Sequence, residues 1–136
     1  MCWSILYHEN KISPEETIAD YNIYNKVNIL ENLNCTFQIN KIYIQNKLYY
    51  NITKNQCACD FFNLKNTKLR DEFINLILTR MEIPCIEPCI YIKWIENNDG
   101  INNIPNNVIN INENKLLTIY TKEYKEAYYC IKRTNE

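Results

Sequence analysis

The sequence predicts an α+β fold: one compact domain spanning residues 1–136, with an antiparallel or mixed sheet carrying at least two helices on one face. Three observations lead there. Short apolar runs of β-formers recur at residues 3–7, 35–52 and 89–95, each at strand length. The stretch near residues 69–81 repeats its apolar side chains at helical spacing instead. A chain of 136 residues that is 46% hydrophobic can enclose one core, and neither an internal repeat nor a linker divides it.

Taken in order, residues 3–7 are apolar and β-prone, and the polar His8-Glu9-Asn10-Lys11 reads as the turn that ends the strand. Ser13-Pro14-Glu15-Glu16 follows. Ser13 can cap a helix, Pro14 suits the first helical position because its missing N–H would be unpaired there, and Glu16 can complete a capping box, so a helix is predicted from Pro14 to about Tyr24. Val27, Ile29, Leu30 and Leu33 fit further helical turns or a packed loop equally well. Residues 35–52 resemble a meander, broken at Asn40-Lys41 and again at Asn46-Lys47, because Asn tolerates the positive φ that a hairpin turn needs.

Leu69, Phe73, Ile77 and Met81 recur every fourth residue, flanked by Ile74 and Leu78, while Arg70, Asp71, Glu72, Asn75 and Glu82 fall on the other side. Thr67 is placed to cap this helix, Asp71 and Glu72 near its start and Arg80 near its end suit the helix dipole, and Pro84 stops it. Residues 89–95 are almost unbroken in β-formers, which predicts a central strand with Ile90, Ile92 and Trp94 on the buried face. Residues 97–107 contain the only glycine, Gly100, and Pro105, and read as a surface loop. Residues 108–111 and 116–120 then suggest a second hairpin around Asn112-Glu113-Asn114-Lys115. In the tail, Tyr120, Tyr124 and Tyr128 have helical spacing, whereas residues 127–131 suit a sheet just as well.

Composition narrows the function classes. A net charge of −1 without any dense basic stripe disfavours nucleic-acid binding through phosphate contacts, and sixteen scattered acids do not make a nucleic-acid mimic. No apolar run reaches the roughly 20 residues of a membrane span, and residues 1–8 lack the basic region and the small-residue cleavage site of a secretory signal. Seven cysteines at irregular spacing favour reduced thiols and a cytoplasmic location. The Asn34-Cys35-Thr36 and Asn51-Ile52-Thr53 sequons then carry no glycan. Asn and Ile make up about a third of the chain and Lys outnumbers Arg, the skew of AT-rich codons, which points to a low-GC genome and suits a phage or mobile element.

Catalytic equipment is sparse. One glycine cannot build a phosphate loop or a dinucleotide fingerprint. One histidine, His8, cannot supply a two-histidine metalloprotease helix or a Cys2His2 finger. Asn97-Asn98-Asp99-Gly100 lacks the calcium-loop spacing, since Ile95 would occupy the first ligand position. Cys2 could act as a nucleophile after removal of Met1, with buried edge-strand packing as the plainer reading.

Two constellations remain. Cys57-Ala58-Cys59 and Cys85-Ile86-Glu87-Pro88-Cys89 could close one soft tetrahedral zinc site, against the simpler reading of packed free thiols. Strand alternation puts Tyr91 beside Lys93, an aromatic platform next to a cation. With Tyr43 and Tyr120 it would suit a small anionic or nucleotide-like ligand, against the reading of core tyrosines. The expectation is therefore a non-catalytic binding protein, self-associated and without a cofactor, that sequesters such a ligand or a partner protein; the alternative is a zinc-stabilised or thiol-regulated protein using the four cysteines.

Overall fold

The computed structural model describes residues 2–11, 35–83, 86–95, 101, 103–120 and 126–133. Among them are six strands: β1 (Cys2–Lys11), β2 (Gln38–Ile44), β3 (Lys47–Thr53), β4 (Ile86–Ile95), β5 (Ile109–Asn112) and β6 (Ala127–Lys132). They form one mixed sheet in the order β2-β3-β1-β4-β6-β5, in which only the β5–β6 pair is parallel. The α-helix α1 (Lys68–Arg80) and the 3-10 helix Glu113–Tyr120 both pack on one face, an α+β arrangement within a single domain. The helix expected from Pro14 to about Tyr24 and the stretch up to Asn34 lie outside the described residues, as do Pro84, Cys85 and Gly100.

Central placement of β1 follows from its length and its alternation. Ile5 and Tyr7 point into the main core, Leu6 points to the opposite face, and β3 and β4 flank it antiparallel. The main core joins these residues to Ile52, Ile90, Ile92 and Ile131 of the sheet, Phe73 and Ile77 of α1, and Leu116 and Ile119 of the 3-10 helix. Phe37, Phe61 and Phe73 meet edge to face at 5.4 to 6.0 Å, an arrangement aromatic quadrupoles prefer. The opposite face holds a smaller cluster of Leu6, Ile44, Tyr49, Tyr91 and Ile104, with Tyr128 against it.

Several expectations need correction. His8-Glu9-Asn10-Lys11 is no turn: β1 runs on to Lys11, pairing with β4 all the way to Ile86. The polar residues there are internal partners. Arg80, fully buried at the end of α1, donates to the Glu9 carboxylate from Nε at 2.7 Å and from Nη2 at 2.6 Å, and the Tyr7 hydroxyl donates to Glu9 at 2.7 Å. The break at Asn40-Lys41 is likewise absent, because β2 is a largely solvent-facing edge strand that tolerates polar residues. The hairpin turn sits at Gln45-Asn46, one residue before the expected pair, with φ of 54° and 66°, and Lys47 opens β3. Two consecutive positive φ values make the primed turn that matches strand twist.

The second expected hairpin is replaced by a crossover. β5 is a strand, but residues 113–120 wind into the 3-10 helix, where Leu116 and Ile119, three apart, fall on one side and enter the core. The tail resolves as strand β6. β4 is the expected central strand, beginning at Ile86 and buried on both faces through Ile92. Thr67 caps α1 by position, its hydroxyl bonded to Asp71 at 2.9 Å rather than to the backbone.

Candidate functional site

Chemistry concentrates on the sheet face opposite α1. Antiparallel registry sets Cys89 of β4 directly against Cys130 of β6, and His8 of β1 against Cys89 on its other side. The period of two then brings Glu87, Cys89 and Tyr91 of β4 to this face, with Tyr128 and Cys130 of β6, His8 and Asn10 of β1, and Tyr49 of β3. The Cys89 and Cys130 sulfurs lie 2.8 Å apart, and both residues are buried.

A polar shell holds the pair. Asn10 donates from Nδ2 to the Cys89 sulfur at 3.2 Å, while its Oδ1 meets His8 Nε2 at 2.9 Å. His8 Nδ1 lies 2.8 Å from the Leu48 carbonyl, and its ring lies tilted against Tyr49 with centroids 4.9 Å apart. Glu87, nearly buried, accepts a 2.7 Å bond from Lys132 Nζ, which raises the lysine pKa. Tyr49 and Tyr128 lie near each other on this face, with Tyr128 beside Cys89. Withdrawal from water raises the pKa of both tyrosines, so their hydroxyls stay protonated.

The two thiols differ in acidity. Cys89 is held well above the ordinary thiol value, first by its hydrogen bond to Cys130 and then by burial; the same bond lowers Cys130. A cleft of about 240 Å³ opens over this face, lined by Asn10, Gln45, Lys47, Tyr49, Tyr128 and Cys130, with Ile104, Pro105, Asn106 and Val108 along one side. Its floor is thiol and phenol, and its rim is rich in N–H donors.

Sequence expectation and geometry coincide in part. Tyr91 and Lys93 do share this face; Tyr91 is buried and meets Tyr128 edge to face at 6.2 Å, and Lys93 is half-buried. Tyr43 is not brought to them. It lies on edge strand β2, three strand spacings or about 14 Å from β4, and 71% exposed on the other side of the sheet. Tyr120 ends the 3-10 helix and its side chain lies outside the described residues.

The four cysteines are not assembled into one site either. Cys57 and Cys59 gather at the start of β1, where Trp3 N donates to the Cys59 sulfur at 3.3 Å, Cys59 N donates to the Cys57 sulfur at 3.1 Å, and Cys2 joins them. Cys89 pairs beside His8, five residues farther along β1, or about 17 Å away. Burial raises the Cys2 thiol, and it raises Cys59 to about 11, leaving neither disposed to act as a nucleophile. Cys85 lies outside the described residues.

Cys130, Glu87, Asn10, Tyr49 and Tyr128 were not singled out as a group by sequence reasoning. One signal was present: Glu87-Pro88-Cys89 places a carboxylate and a thiol two residues apart in a strand, hence on one face. Their meeting with Cys130 depends on the pairing of β4 with β6, which no local pattern specifies.

A second cleft of about 430 Å³ lies between α1 and the loop before β2. Its polar groups fasten that loop: Thr36 donates from both its N–H and hydroxyl to Glu72, and Lys54 Nζ donates to the Thr36 carbonyl at 2.8 Å. None of the described helices is long and apolar enough to cross a membrane. Compared with family models, curated proteins and solved structures, the chain matches none of them.

Proposed function

We propose that this is a non-catalytic binding protein that holds a compact anionic ligand in the cleft over β1, β3 and β6. The observation carrying the reading is that cleft's lining: the Lys47 ammonium with the side-chain amides of Gln45 and Asn106 at the rim, above a tyrosine and thiol floor whose two sulfurs already meet and are held by Asn10. A floor fixed before the ligand arrives lowers the ordering cost of binding. The size of the cleft favours a small anion over a whole nucleotide.

The protein acts stoichiometrically, in a reducing cytoplasm that keeps its thiols free. Self-association is also part of the reading, supported by the edge position of β2 among the described strands, with exposed Tyr43, and by the exposed Val108, Ile109 and Leu117 near the other edge. Mass spectrometry of small molecules released on denaturing untagged protein should find an unaltered anion, and titration calorimetry with inorganic phosphate and a small dicarboxylate should rank candidates. Lys47→Glu should weaken binding roughly 10- to 100-fold, the loss expected for one charge-assisted contact. A chemically converted product, or an affinity indifferent to Lys47→Glu, overturns the reading.

A further inference from the structure

We propose that Cys89, Cys130 and Glu87 form a binding site for a divalent, thiol-seeking metal ion of the zinc class, with its fourth coordination position facing the cleft. The three ligand atoms lie within 4.8 Å of one another and all three residues are buried. Around tetrahedral zinc, with metal–sulfur and metal–oxygen bonds near 2.3 and 2.1 Å, donor atoms stand about 3.5–3.8 Å apart. The sulfurs, now at 2.8 Å, need to part by only about 1 Å, within reach of small rotations about the two Cα–Cβ bonds. Two thiolates and a carboxylate are the donor set such an ion prefers over calcium or magnesium.

The surroundings complete the chemistry. Binding replaces two S–H protons with the ion and releases both to solvent. Charges then cancel: two thiolates and Glu87 against the dication and Lys132, which already bonds Glu87 at 2.7 Å. Asn10, bonded to the Cys89 sulfur and oriented in turn by His8, supplies the outer hydrogen bonding that fixes a metal ligand. Cys130 lines the cleft, so the vertex left by three protein ligands opens there, to water or to the anion. Only this last clause rests on the anion-binding reading; the metal site itself does not.

Cobalt(II) titration of the fully reduced protein tests it, because thiolate-to-cobalt charge-transfer absorption and intense tetrahedral ligand-field bands report the donor set directly. One cobalt per chain is expected, displaced by zinc. Cys89→Ser and Cys130→Ser should each weaken binding roughly a hundredfold or more, with Asn10→Ala losing about tenfold. Lys47→Glu should leave the bands intact even where it abolishes anion binding, which separates failure of one reading from failure of the other. Wild-type protein gives a check independent of how the serine variants fold: zinc should protect Cys89 and Cys130, but not Cys35, from alkylation mapped by peptide mass spectrometry. Absence of charge-transfer bands with both thiols counted as reduced, or bands lost in a Cys57→Ser, Cys59→Ser double variant and kept in Cys89→Ser, overturns the proposal.

Discussion

Replacing Glu9 with alanine should be among the most damaging single changes in the chain. The Arg80 and Glu9 side chains are only 1% and 4% exposed, and they meet through two parallel bonds of 2.6 and 2.7 Å. Removing the carboxylate takes two charge-assisted bonds from a guanidinium that can neither reach water nor give up its proton, a change that costs about 3–5 kcal/mol. Tyr7, itself buried, loses its acceptor at the same time, worth about another 1 kcal/mol. For a chain of this length the unfolding entropy makes 3–5 kcal/mol a drop of roughly 10–17 °C in Tm, a large share of a typical total stability of about 5–15 kcal/mol. The assay is thermal and urea unfolding followed by far-ultraviolet circular dichroism. A double variant, Glu9→Leu with Arg80→Met, keeps the volume apolar and should recover all but the tyrosine's share. A single variant within about 1 kcal/mol of wild type, or a double variant no better than Glu9→Ala, would refute the claim that a desolvated ion pair joins β1 to α1.

The other predictions are briefer. Gln45→Asn with Asn46→Gly should raise stability by about 0.5–1 kcal/mol, since glutamine is poorly suited to its positive φ; a loss of stability would mean the turn is not of the primed type. Phe73→Ala should cost about 3–5 kcal/mol by opening a cavity among three edge-to-face rings, while Leu78→Ala on the exposed side of the same helix should change stability by less than about 0.5 kcal/mol. Alkaline pH should destabilise. Tyr7, Tyr49, Tyr91, Tyr128 and Tyr129 are all raised above the ordinary tyrosine value of 10.0, chiefly by burial. The unfolded chain therefore loses these protons first, so stability is level below that value and falls as pH climbs past it. A urea midpoint unchanged between about pH 9 and 11 would contradict this.

Much of the fold was legible because hydrophobic periodicity reports burial. α1 and β4 follow directly from the spacing of Phe73 and Ile77 and from the unbroken run around Ile90 and Ile92. What misled was polarity. Glu9 and Arg80 are both charged, and a charged residue reads as solvent-facing until its partner is known; here the partner is 71 residues away. Lys115 and its neighbours read as a hairpin turn because three-residue apolar spacing, Leu116 to Ile119, is hard to distinguish from strand alternation over so few residues.

The site was half legible for the same reason. Tyr91 and Lys93 could be placed on one face because alternation is local. Cys89 could be recognised as chemistry-bearing, but grouping it with Cys57 and Cys59 relied on the short spacing within two cysteine pairs on either side of a helix, whereas strand pairing joins it to Cys130, 41 residues away. Tyr43 was drawn into the wrong company because aromatic content alone does not say which strand lies at the edge.

The claim on which the functional account turns is that the sheet face opposite α1 does the binding. Two-dimensional amide correlation spectra of the reduced protein, recorded as inorganic phosphate is titrated in, test it residue by residue. Shifts should concentrate at Gln45, Lys47, Tyr49, Asn106 and Tyr128, the walls of the smaller cleft. Shifts confined to Thr36, Lys54, Lys68 and Glu72, across the larger cleft beside α1, or scattered without focus, would contradict it.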